Sequence, residues 1–211
     1  MKISIKIGKM IFIYLDLKRN NKILLSIIEK KIFNEIKKLE YIKIIQCKIN
    51  GNIRLESFVS ITNSILSSNI SEIWIKKFCS IAPNVSIIGH LHNYKRATSY
   101  YVFSNIIRDD EMNNDIFTKG NIVIEEGVWL GAGAVVLSGV IVGRGSIIGA
   151  NSVCNKSIGK YSIAAGNPIK VIRKKNDQKT IKEIEDSKWW DWDVKKIKEN
   201  KNFFYKNREE K

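Results

Sequence analysis

From Ile124 onward an aliphatic residue returns at every sixth position, as Ile124, Leu130, Val136, Val142 and Ile148, and Cys154 closes the series. Two places before each later member stands a small or β-branched residue: Val128, Ala134, Val140, Ser146 and Ser152. Glycine follows three members, as Gly131, Gly143 and Gly149, and the same beat shows upstream in Ile75, Ile81 and Ile87. Neither the helical period of 3.6 nor the strand period of 2 sustains a repeat of six. A coil of three short strands per turn does, with one inward side chain per strand, so that eighteen residues complete a turn and like residues stack on like. The spacing predicts a mainly β chain wound as a parallel β-helix, with aliphatic columns inside and the glycines at its corners.

Between Ile87 and Ile122 the beat stops, and it then resumes with the same aliphatic preference. A long insertion in a regular solenoid is expected to be a functional loop projecting from one face. Both histidines of the chain, His90 and His92, stand at its start, and Tyr94, Tyr100, Tyr101, Phe103 and Phe117 crowd its body. Such rings suit the faces of sugars or a hydrophobic acceptor, and they equally suit packing of the loop onto its neighbour.

A reaction that takes a proton from a hydroxyl needs a base within hydrogen-bond reach, and imidazole is the side chain that titrates near neutrality without tuning. Zinc chemistry calls for three protein ligands as a rule, and two histidines separated by one residue do not supply them, so no metal is expected. Cys47, Cys79 and Cys154 are odd in number and far apart, which argues against a disulfide framework and for a reducing compartment. The apolar run Met10-Ile-Phe-Ile-Tyr-Leu15 is cut off by Asp16, far short of the roughly 20 residues that span a bilayer. With no small-residue cleavage site after it, a cytoplasmic location and no membrane span are expected. The formal charge of +15 would suit a polyanionic partner. The lysines are nevertheless spread along the chain with no nucleic-acid motif, as a compositional bias would spread them, so no nucleic acid is expected as partner.

The stretches Gly127-Val-Trp-Leu-Gly-Ala-Gly-Ala134, Ile148-Gly-Ala-Asn-Ser152 and Ala164-Ala-Gly-Asn-Pro-Ile-Lys-Val-Ile-Arg173 closely resemble the hexapeptide-repeat acyltransferases. Lys188-Trp-Trp-Asp-Trp192 resembles the branch with xenobiotic and saccharide O-acetyltransferases. The likeness covers about residues 70 to 195 and implies a left-handed coil. That hand comes from the family alone, because parallel crossovers are right-handed in most proteins.

The resemblance also implies acetyl-CoA as co-substrate, a homotrimer with its sites between subunits, and His92 as the catalytic base. His90 becomes a wall or support residue, and Trp129 either a dry wall beside the thioester or a cap on the core. Gly131, Ala132, Ala150, Asn155 and Lys156 fall at positions along the pantetheine arm, with a backbone N–H of Gly131 or Ala132 as oxyanion donor. Lys170 and Arg173 match positions near the nucleotide phosphates, or are solvated surface charges.

Three parts are expected. Residues 1–50 form a small α/β element, strand-like over 3–17 and helical over 22–40 where Leu24, Ile28, Ile32 and Ile36 lie four apart, capping the solenoid or reaching toward an acceptor. Residues 51–173 form the β-helix with the inserted loop at 89–121, and 174–211 a helical tail. The expected function is transfer of acetyl to a hydroxyl or amino group of a saccharide, in cell-surface polysaccharide biosynthesis. The alternatives are acetylation of a streptogramin or chloramphenicol, and a non-catalytic β-helix that binds no coenzyme.

Overall fold

In the computed structural model, described for residues 2–7, 10–16, 21–24, 27–28, 30–108 and 115–208, the chain winds as a three-faced prism of parallel strands. The inward columns are the registers that the six-residue beat predicts. On the first face Ile44, Ile61, Ile81, Leu130, Ile148 and Ala164 pair in turn from coil to coil. On the second the column is Ile28, Ile49, Leu66, Ile87, Val136 and Cys154. On the third it is Leu55, Ile75, Ile124, Val142 and Ile158. Every one of these side chains is buried, so each contributes transfer free energy of about 1 to 3 kcal/mol to one continuous core.

Glycine has two separate uses here, and the three that follow the beat are not the corner formers. At Gly131 a Cβ would lie 2.7 Å from the backbone N of Ala150, so the side chain is absent because the next coil passes too close. The corners are turned by residues of positive φ such as Gly133 and Gly127. A second set of corners uses side chains instead. Tyr41, Phe58 and Phe78, all at positive φ, stack their rings at 5.0 and 4.6 Å, which offsets the local backbone cost.

Parallel pairing does not begin at residue 51. Residues Asn21–Leu24 already pair in parallel with Lys43–Ile45, and Ile27–Ile28 with Lys48–Ile49. The helix expected over 22–40 is therefore confined to α1 (Lys30–Ile36), whose Ile32, Phe33 and Ile36 are buried. Ile28 serves the solenoid's second column instead, since spacing by four fits a helix face and a coil position equally well. Upstream of the coils, Lys2–Ile7 and Met10–Asp16 form an antiparallel hairpin that extends the first face; Leu17 lies outside the described residues.

At the other end Lys170–Lys174 closes the first face antiparallel to Ser162–Ala165. The tail follows as α2 (Gln178–Ser187), a 3-10 turn at Trp189–Asp191, α3 (Val194–Glu199) and α4 (Lys201–Tyr205). Asp177 and Asp193 cap α2 and α3, accepting from the N–H groups of Thr180 and Lys196. Among the described residues no helix is long and apolar enough to cross a membrane.

Candidate active site

The loop leaves the prism after the strand Ser86–Ile88 and returns at Ile122–Ile124. A two-residue ladder fastens its base: Leu91 and His92 pair antiparallel with Phe117 and Ile116. His92 thus sits on regular backbone at the mouth of the loop, with its side chain exposed. Its Nδ1 lies 2.7 Å from the carbonyl oxygen of Ser99. A carbonyl only accepts, so Nδ1 carries the hydrogen, and in the neutral ring Nε2 is left with the lone pair. Tyr101 meets the imidazole edge to face at 4.7 Å and limits its rotation.

His90, two residues earlier, differs on each count. It is half-buried, its Nδ1 is enclosed without a hydrogen-bond partner, and burial, then the neighbouring His92 charge, push its pKa below the ordinary histidine value. This favours its neutral form.

The buried carboxylate of Asp115 holds the rest of the loop. It accepts from the N–H groups of Phe103 (3.1 Å) and Ser104 (2.7 Å) and from the Ser104 hydroxyl (2.6 Å), and its own carbonyl accepts from Asn93 N–H at 2.9 Å. Burial pushes the Asp115 pKa up, but these bonds outweigh it, with a smaller pull from His92, and hold the group below the ordinary carboxylate range. Its bonds anchor the π-helical turn Phe103–Ile107, and through it the segment that presents Ser99 and Tyr101 to His92. Sequence reasoning missed Asp115, because a carboxylate in an acidic loop stretch carries no spacing signal; its partners are backbone N–H groups and one hydroxyl. Asp115→Asn puts an amide NH2 against those donors, and we expect kcat to fall about ten- to a hundredfold with little change in acetyl-CoA affinity, read from steady-state kinetics beside a binding titration.

Of the loop tyrosines, Tyr94 packs edge-on against Phe117 at 5.2 Å, and Tyr100 accepts from Asn105 Nδ2 at 3.1 Å; both remain exposed. Only Tyr101 touches His92. The loop residues 109–114 lie outside the described residues.

The residues expected along the coenzyme fall on two strips. Trp129, half exposed, points outward on the first face between Ser80 and Ile147, and Ala132 and Ala150 follow at the corner toward the second face. Both alanines are exposed. Gly131 N–H donates to Ile148 O in the ladder at 2.8 Å, so it is not available as an oxyanion donor, and Ala132 N–H is the member of the expected pair left for that role. Asn155 and Lys156 lie one corner further on, past the second-face strand Val153–Cys154 and beneath the exit of the loop. Lys170 and Arg173 are exposed on the closing strand, where Arg173 Nη1 donates to Lys174 O at 3.0 Å. No hydrogen bond or ring contact joins Trp129 to His92 or the loop among the described residues.

A model of the bacterial transferase hexapeptide family (six repeats) matches residues 121–156. The chain is 34% identical over 137 residues to a chloramphenicol acetyltransferase of Klebsiella aerogenes, covering 62% of this chain and 64% of that one. It is 36% identical over 133 residues to a probable macrolide acetyltransferase of Lysinibacillus sphaericus (60% and 73%). To a putative lipopolysaccharide biosynthesis O-acetyl transferase of Escherichia coli K12 it is 31% identical over 128 residues (61% and 63%). The match spans 62 to 65% of the length of the chloramphenicol acetyltransferases. Among solved structures, an N-acyltransferase from Bacillus cereus superposes with a TM-score of 0.57 at 20% identity, over 77% of this chain and 86% of that one. A hexapeptide-repeat acetyltransferase of Vibrio cholerae, solved with acetyl coenzyme A, gives 0.50 at 26% identity, over 63% and 66%.

Proposed function

The chain belongs to the hexapeptide-repeat transferases, a family of left-handed β-helices, and from that premise we propose that it is an acetyl-CoA-dependent O-acetyltransferase acting on a saccharide of a cell-surface polysaccharide. The observation that carries the reading is the geometry at His92: Nδ1 committed to a backbone carbonyl, Nε2 left with its lone pair, and the ring exposed at the mouth of an aromatic loop.

In this scheme Nε2 takes the proton of the acceptor hydroxyl as its oxygen attacks the thioester carbonyl. The tetrahedral oxyanion is met by the Ala132 N–H, the C–S bond breaks, and the thiolate recovers the proton from the imidazolium. No acyl-enzyme is needed. The three thiols suit no such role: all are buried, and desolvation pushes Cys79 up to about 12 and Cys154 up to about 11. Trp129 would wall the acetyl group, Ala132 and Ala150 would let the thin pantetheine arm approach the backbone with Asn155 and Lys156 further along it, and Lys170 and Arg173 would meet phosphates.

The base and the Trp129 strip belong to different parts of one prism. A homotrimer, in which one copy's loop faces its neighbour's strip, gives both a common substrate, and this supports shared sites between subunits. The relatives named for chloramphenicol and macrolides favour a second reading, in which the acceptor is a drug hydroxyl.

Release of CoA thiol from acetyl-CoA separates these readings, with free and nucleotide-linked sugars, oligosaccharides, chloramphenicol and a streptogramin as acceptors. Sugar-dependent release is the expected result. Release with the drugs alone would move the protein to the second reading, and absence of acetyl-CoA binding would end both.

A further inference from the structure

The corner that carries Ala132, Gly133, Ala150 and Asn151 continues upstream through Asn84, Asn63 and Gln46, all three at positive φ. The backbone there is already committed, since Asn63 N–H donates to Ile45 O and Asn84 N–H to Asn63 O. What the corner offers a ligand is therefore its side-chain amides. Asn63 Nδ2 donates to Asn84 Oδ1 at 2.6 Å, which fixes both amide planes and leaves the Asn84 NH2 and the Asn63 oxygen turned to the remaining space. A cavity of about 250 Å³ surrounds them, walled by Gln46, Lys48, Asn63, Asn84 and Ser86 with Ile65 at one side.

Coils stack about 4.8 Å apart, so Gln46, Asn63 and Asn84 set three amides in line along the corner. Nucleic acid would call for a row of cations and stacking rings, and this groove holds one lysine and no aromatic residue. An antibiotic would call for an enclosed, mostly apolar pocket, and this groove is open, with amides, a lysine and serines set beside Ile65 and Val85. A linear chain of hydroxyl-bearing rings matches both the repeat and the chemistry.

We infer that this groove binds further units of a linear saccharide whose reacting unit lies at the level of Gly133, between the Ala132 strip and a neighbour's His92. The inference rests on the saccharide reading above and extends it from a single sugar to a chain. Lys48, the cation of the groove, favours acidic units over neutral ones.

The test is acetyl transfer by the full-length protein to malto-, chito- and galacturono-oligosaccharides of two to six units. KM is expected to fall about tenfold from the disaccharide to the pentasaccharide, the effect of gaining one or two net hydrogen bonds. Because Gln46 and Asn63 occupy left-handed backbone, Gln46→Gly and Asn63→Gly remove the amides without strain, and Asn63→Asp keeps the shape while repelling acidic units. These variants are expected to abolish the length dependence, whereas Asn69→Ala, outside the groove, retains it. Matching melting temperatures exclude misfolding. Transfer with a KM indifferent to length overturns the groove and leaves the saccharide reading intact. Transfer to chloramphenicol but to no saccharide overturns both.

Discussion

His92→Ala is expected to lower kcat by about two to four decades while leaving acetyl-CoA affinity within about twofold, because a general base contributes that much and touches only the acceptor proton. His90→Ala is expected to cost less than about tenfold. The contrast follows from the two side chains' surroundings: His92 is exposed at the mouth of the loop and oriented by Ser99 O, whereas His90 is half-buried and its Nδ1 has no hydrogen-bond partner among the described residues. Initial rates of thiol release, set beside a titration of acetyl-CoA binding for both variants, provide the measurement. Equal losses would show that neither imidazole is the base and that the loop merely needs both rings for packing.

How far the site could be read in advance depended on whether a feature lived in side chains at fixed spacing. The columns through Ile124, Leu130 and Val136 were legible because each partner, Val142, Ile148 and Cys154, lies eighteen residues on. Upstream of Ile81 the first-face column runs through Ile61 and Ile44, whose spacings depart from eighteen as the corners vary in length, and there the beat is lost although the stacking persists. His92, which stands exposed at the mouth of the loop, was singled out by resemblance to the family. Its orienting partner was not, because that partner is a backbone carbonyl brought in by a turn that Asp115 secures. The Trp-rich tail was legible as a packing element. Its berth was not, since the berth is made by Phe78 and Arg144, which no fixed spacing links to the tail.

That berth explains why Arg144→Met is expected to release the tail rather than loosen it slightly. The rings of Tyr41, Phe58 and Phe78 climb one corner of the prism, and Trp189 continues the stack at 4.8 Å from Phe78, lying over Gly127. Beneath it Arg144 bridges coil and tail. Its Nε donates to Glu126 Oε2 and its Nη1 to Glu185 Oε1, both at 2.9 Å, and its guanidinium lies 3.7 Å from the centre of the Trp190 ring. Tyr161 hydroxyl donates to the same Glu185 oxygen at 2.7 Å. Methionine keeps the stem's packing and removes every one of the charged contacts. Breaking a largely buried pair typically costs about 3 to 5 kcal/mol. Glu185 is a third exposed and Lys76 still faces Glu126 at 3.3 Å, so a loss of about 2 to 3 kcal/mol and a melting point lower by roughly 5 to 10 °C are expected.

The dependence on pH carries the sign of depressed carboxylates. Burial pushes Glu126 and Glu185 up, but their hydrogen bonds and the Arg144 charge outweigh it and hold both below the ordinary value of 4.5. The unfolded chain therefore binds more protons as pH falls, so the stabilisation is complete above about pH 4.5 and drains away as pH drops through the lowered folded values. The native protein should lose melting temperature steeply across that acid window, and Arg144→Met should lose less, because its carboxylates no longer have the bond that acid breaks. Melting curves between about pH 7 and 3, read beside limited proteolysis of the tail, test this. Parallel acid profiles for the two proteins would show that the tail is held by its aromatic stack alone.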